Sequence, residues 1–140
     1  MTPTAQTFVD GTWHEGNPPL MGPMTLATWL GSVIFDGARA FEGTVPDLDL
    51  HCRRAVASAA KMNMNAPVSA EELVEICRDG VARFPTGSAL YIKPLMWAED
   101  GWIYPDPDST RFAVNIFEAP LPAPSGSSFC VARFRRPAPD

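Results

Sequence analysis

The sequence predicts an α+β fold with a mainly antiparallel sheet, and three observations carry that prediction. Two β-prone runs flank Asp10-Gly11 near the start, and two more, "SALYIKPLMWAED" and "RFAVNIFEA", lie near the end. Between them fall two helical stretches, "LHCRRAVASAAKMNM" and "PVSAEELVEICRDGVARF". Strands gathered at both ends around paired helices are not the repeating strand–helix alternation of a parallel sheet.

The elements follow in order. In "QTFVDGTWHEG" both residues of Asp10-Gly11 tolerate positive φ, which predicts a tight hairpin. "GPMTLATWLG" reads as a short helix closed by Gly31. "VIFDGARAFEG" reads as a strand, with Phe35, Gly37, Arg39 and Phe41 on one face and Asp36, Ala38 and Ala40 on the other. "TVPDLD" is a turn, and Asp49 is the expected N-cap of the alanine-rich helix from Leu50 to Met64. His51 and Arg54 share a face of that helix, while Arg53 points about 100° away. Ser69 and Glu72 have capping-box spacing ahead of Leu73, Ile76, Cys77 and Val81, and Gly80 falls inside that helix at some cost. Pro94 limits ladder pairing, so "YIKPL" is expected at a sheet edge or mouth.

Composition bounds the function. The 140 residues fit one domain; 46% are hydrophobic and 19% charged, a globular profile. A net charge of −5 leaves no basic stripe for nucleic acid. No apolar run approaches the roughly 20 residues of a membrane span, and no signal peptide is visible. Cys52, Cys77 and Cys130 are scattered, a poor disulfide framework, so a cytoplasmic setting is expected. Three of the 15 prolines fall in "EAPLPAPSGSS", which reads as a linker. The expected organisation is a domain over 1–118, a linker over 119–127 and the start of a second domain, opening with a strand, over 128–140.

Three segments offer cationic or hydroxyl groups. Arg39 lies beside the gap at Gly37 between Phe35 and Phe41; Tyr91 and Lys93 share a strand face; Arg54 and His51 share a helix face. Each alone reads more readily as solvated surface than as a site, since most surface arginines bind nothing. Together, in an acidic protein, they suit a dianion with a phosphate and a carboxylate. No metal-ligand spacing is present, nor a nucleophile elbow, P-loop or dinucleotide fingerprint.

The ordered set "VDGTW", "FDGARAFEG", "DLHCRRAVASAAKM" and "YIKPLMWAEDG" resembles the N-terminal half of the fold-type IV aminotransferases, closest to the branched-chain amino-acid aminotransferases. "FDGARAFEG" is similar to that family's F-E-G-I-R-x-Y segment, and "LHCRR" to its H-x-x-R segment. The resemblance implies the small N-terminal domain of that fold, with pyridoxal 5′-phosphate as cofactor. It implies that Arg54 holds the cofactor phosphate, that Phe35, Gly37 and Arg39 line the substrate pocket, and that Tyr91 lies near the substrate carboxylate. Lys93 stands where branched-chain enzymes usually carry arginine, and Leu30 where tyrosine is common. A lysine lacks the bidentate fork of arginine.

The family's Schiff-base lysine follows a segment like "RRPAPD" by a few residues. Lys61 and Lys93 are the lysines of this chain, and neither matches that position. No catalytic residue is therefore expected within it, and the chain by itself is expected to be inactive. The implied parent reaction moves an amino group between a hydrophobic amino acid and a 2-oxo acid. The loop "GWIYPDPD" is similar to one that reaches a neighbouring subunit, which implies a homodimer. Alternatives within the fold are an aminodeoxychorismate lyase or a D-amino-acid or amine transaminase. Outside catalysis, the alternative is a binding module or pseudoenzyme.

Overall fold

The computed structural model describes residues 4–131 and 133–135. In chain order the elements are β1 (Ala5–Val9), β2 (Thr12–Glu15), α1 (Leu26–Leu30), β3 (Val33–Phe35), β4 (Ala38–Ala40), α2 (Leu48–Lys61), α3 (Ala70–Val81), β5 (Leu90–Ala98) and β6 (Thr110–Glu118). They build one sheet in the order β2-β1-β6-β5-β3, with β4 also paired to β5. Every pairing is antiparallel, as the sequence predicts.

The sheet has two unlike faces. On one, α2 and α3 set Cys52, Ala55, Ala59, Leu73 and Cys77 against Leu90, Ile92, Met96, Val114 and Ile116, and this is the main core. Small residues on α2 let it approach closely, and each large side chain buried here contributes about 1.5–3 kcal/mol. The other face is covered in part by α1, where Ala27 packs with Val9, Trp97 and Ala113. The rest of that face is open, and the residues of interest lie on it.

Local chemistry explains most boundaries. Asp10 and Gly11 both take positive φ, so the β1–β2 hairpin closes with two residues. Gly31 ends α1 in the left-handed region. Ser69 and Glu72 form the predicted capping box at the start of α3. No helix among the described residues is long and apolar enough to cross a membrane.

Several expectations change. The first long helix starts at Leu48, with Asp47 rather than Asp49 at the cap and no side-chain cap bond. Asp49 instead lies in the first turn, 3.8 Å from Arg53. That helix stops at Lys61 rather than Met64, because Asn63 turns left-handed and Met64 N–H bonds back to the carbonyl of Ala59. Pro94 is at no edge: it is fully buried in β5, between β6 and the β3–β4 segment. The strand expected from Ser128 is not formed by 128–131 or 133–135, where Phe129 and Phe134 are exposed and no strand among the described residues pairs with them. Ala132 and 136–140 lie outside the described residues.

Proline inside a central strand needs an explanation, and the partner strand supplies it. Phe35 faces Leu95 and Ala38 faces Ile92, three residues further along both strands, so the pairing runs on in register. Between them Asp36 N–H donates to the carbonyl of Pro94 at 3.0 Å, but Pro94 has no N–H to return. The strand read from sequence as continuous is therefore split into β3 and β4 at Asp36-Gly37. Its two faces keep the predicted alternation.

Candidate functional site

Asp36 sits at that split on the helix side of the edge strand. Its side chain is only 6% exposed, and no apolar neighbour could tolerate the charge unpaired. Four hydrogen bonds reach it. Arg54 Nε donates to Oδ2 at 2.6 Å and Nη2 to Oδ1 at 2.7 Å. His51 Nδ1 lies 2.8 Å from Oδ1, and Gly37 N–H donates to Oδ1 at 2.7 Å. An ionised carboxylate can only accept, so the contact to Asp36 is a hydrogen bond when Nδ1 carries a proton; the same Nδ1 also lies 3.0 Å from Arg54 Nη2, which ties the three side chains into one cluster. The predicted His51–Arg54 face is thus real, and its partner is an acid that the sequence placed on the far strand face without a role.

Burial alone would raise the Asp36 pKa, but the hydrogen bonds from Arg54, His51 and Gly37 outweigh it and hold the carboxyl below the usual aspartate range. A folded-state pKa below the unfolded one stabilises the fold above the unfolded value, near pH 4. That stabilisation is lost as pH falls through the folded pKa. Asp36→Asn is expected to flatten the acid limb of the stability profile below about pH 4, measured by urea unfolding across pH; an unchanged limb would refute the assignment.

The open face carries the other predicted residues. Arg39 faces Tyr91 across the β4–β5 ladder, and Phe35 faces Leu95 across β3–β5. Lys93 Nζ lies 4.8 Å from the centre of the Phe35 ring, a cation–π contact on an aromatic that is 60% exposed. Tyr91 packs on Phe117 with ring centres 5.4 Å apart. Arg39 Nη2 donates to the carbonyl of Ala119, just past β6, and its guanidinium lies 5.2 Å from the Phe41 ring centre. Arg39 Nε is buried with no protein partner among the described residues.

Gly37 is not the open gap that its lack of a side chain suggested. A Cβ there would lie 2.1 Å from the Tyr91 hydroxyl oxygen, so the tyrosine fills the space. The structure thus gathers Phe35, Gly37, Arg39, Tyr91 and Lys93 on one face. It keeps Arg54 on the helix side of the same edge, joined to them through the Asp36-Gly37 peptide. Leu30, 53% exposed, ends α1.

The donor set suits an anion. Arg54 meets Asp36 with its Nε/Nη2 edge, and its Nη1 makes no hydrogen bond among the described residues. The side chain is 62% exposed, and Nη1 keeps two N–H groups that a phosphate or carboxylate oxygen can accept, while Nη2 is shared between Asp36 and, at 3.0 Å, His51 Nδ1. No cluster of His, Cys, Asp and Glu able to hold a metal is found among the described residues.

A model of the class IV amino-transferase family matches residues 33–140. A probable branched-chain-amino-acid aminotransferase from Rickettsia typhi is 30% identical over 110 residues, which are 76% of this chain and 38% of the relative. Its counterpart from Rickettsia bellii is 27% identical over 154 residues, covering all of this chain and 51% of the relative. An aminotransferase from Brucella abortus, solved bound to the cofactor PLP, superposes with a TM-score of 0.90 at 39% identity, over 96% of this chain and 49% of that one. The branched-chain aminotransferase of Thermoproteus uzoniensis, at 23% identity and a TM-score of 0.70, shares the fold. The chain spans about half the length, or less, of these relatives.

Proposed function

Because the chain belongs to the class IV aminotransferase family, we propose that it forms the small N-terminal domain of a pyridoxal 5′-phosphate-dependent transaminase acting on branched-chain or other hydrophobic amino acids and 2-oxo acids. The observation that carries this reading is the exposed Arg54 guanidinium, pinned along its Nε/Nη2 edge with Nη1 making no hydrogen bond among the described residues. In this reading Arg54 holds the cofactor phosphate at the sheet edge. Tyr91, Lys93 and Arg39 bind and orient the substrate on the open face, and Phe35 and the close-packed Gly37 shape its wall. When bound, the cofactor supplies the carbonyl that exchanges amino groups and the ring that accepts electrons from the substrate.

The domain is residues 1–118, followed by a linker over 119–127 and the start of the cofactor-binding domain over 128–140. Neither Lys61, exposed at the end of α2, nor Lys93 serves as the covalent anchor. The chain alone is accordingly inactive, and it works joined to the remainder that its relatives carry. The enzyme is a cytoplasmic homodimer in which the exposed Trp102, Ile103 and Tyr104 loop reaches the second subunit.

Lysine at position 93 favours a second reading, another enzyme of the same fold such as an aminodeoxychorismate lyase or a D-amino-acid or amine transaminase, since a point charge orients a carboxylate differently from a fork. Assaying the holoenzyme with leucine, isoleucine and valine against D-alanine separates the two. Arg54→Ala is expected to raise the cofactor dissociation constant about tenfold, as loss of a charge-assisted pair does, while Arg53→Ala leaves it unchanged. Equal effects of the two substitutions would sink the proposal.

A further inference from the structure

Resting on the reading that Arg54 grips the cofactor phosphate, we infer that Asp36 is a positioning residue: its buried carboxylate sets the Arg54 guanidinium in the orientation that presents its free edge to the phosphate. The two adjacent arginines of α2 supply the comparison. Both side chains are 62% exposed. Among the described residues Arg53 pairs only with Asp49, itself 56% exposed, at 3.8 Å and one turn along the same helix. Arg54 meets an acid that is 6% exposed, belongs to the sheet, and engages both Nε and Nη2 at 2.6 and 2.7 Å. One arginine is loosely paired at the surface and the other is held side-on by a buried acid.

Three features make the fixing effective. The side-on contact engages Nε and Nη2, and Nη2 also lies 3.0 Å from His51 Nδ1, so Nη1 is the nitrogen without a hydrogen bond among the described residues and its N–H groups lie in the guanidinium plane away from the carboxylate. Asp36 cannot drift, because Gly37 N–H donates to the same Oδ1 at 2.7 Å and His51 holds it from α2. An arginine loses considerable rotamer freedom when it is gripped, and here that loss precedes ligand binding. Asp36 also ties the phosphate-side helix to the strand bearing Phe35 and Arg39, so both ends of the ligand are referred to one carboxylate.

The carboxylate also partly cancels the guanidinium charge, and this acts on phosphate affinity with the opposite sign. The sign of the mutant effect therefore decides between positioning and cancellation. Burial and the sharing of the Asp36 charge among three donating residues favour positioning.

The test uses the holoenzyme, with pyridoxal 5′-phosphate and pyridoxal as probes and cofactor dissociation rates as readout. Asp36→Asn is expected to release pyridoxal 5′-phosphate about fivefold faster and to leave pyridoxal release unchanged, because only the phosphate is read through Arg54. Asp36→Glu, which keeps a carboxylate, is expected to stay within about twofold of the parent. Arg54→Lys, which leaves Asp36 in place, is expected to match Asp36→Asn, and it decides the matter if Asp36→Asn does not fold. Unchanged or slower release of pyridoxal 5′-phosphate from Asp36→Asn, equal losses of both probes, or parent-like retention by Arg54→Lys would each overturn the inference. If Arg54→Ala itself retains the cofactor, the phosphate role of Arg54 fails instead.

Discussion

Gly80→Leu is expected to lift α3 off the sheet and cost about 3 kcal/mol, the upper range for overpacking a tight core. Gly80 is buried in the last turn of α3, one residue before its end at Val81, and glycine is a poorer helix former there than alanine. The structure shows what it permits: a Cβ would stand 2.3 Å from Cη2 of Trp13 and 2.5 Å from Cδ1 of Ile116. Trp13 cannot easily yield, since its Nε1 donates to Asp79 at 2.7 Å and Arg83 stacks 5.0 Å from its ring centre. Urea unfolding should show a lower midpoint with an unchanged slope. Gly80→Leu in a Trp13→Ala background should cost clearly less than in the parent. Equal costs in the two backgrounds would show that the indole is not the obstacle.

Gly37→Ala is expected to cost about 2 kcal/mol, within the range for overpacking, and to displace Tyr91. The φ of Gly37 is not positive, so backbone strain is not the reason. Contact is: the new methyl would lie 2.1 Å from the Tyr91 hydroxyl oxygen and 2.8 Å from Cζ. Tyr91→Phe would leave the second contact in place and relieve little. Tyr91→Ala removes both, so a double-mutant cycle should show Gly37→Ala nearly neutral in that background. Additive costs would place the strain elsewhere. In the holoenzyme the same displacement is expected to raise KM more than it lowers kcat, in keeping with the substrate-orienting role proposed for Tyr91.

Much of this was legible before any coordinates. Asp10-Gly11, Gly31 and the Ser69–Glu72 box punctuate the chain through backbone preferences that act within a few residues. The strand alternation placing Phe35, Gly37 and Arg39 together survives the split at Asp36, because the pairing stays in register. Asp36 itself was the omission. A signal was present, an acid amid β-branched and aromatic residues, but a carboxylate in a strand announces no partner until the helix that covers it is placed.

The sequence by itself determined most of the elements, their antiparallel order, the shared faces of His51 with Arg54 and of Tyr91 with Lys93, and the family likeness that its motifs carry. Apart from that likeness, these depend on periods of about 2 or 3.6 residues and on short-range torsional preference. Only the tertiary structure decided that Pro94 sits in a central strand, that Tyr91 fills the notch at Gly37, and that Asp36 fastens Arg54. Each of those is a contact between segments 18 to 58 residues apart. What a side chain meets across such a distance is set by packing of the whole sheet against its helices, which no local pattern encodes.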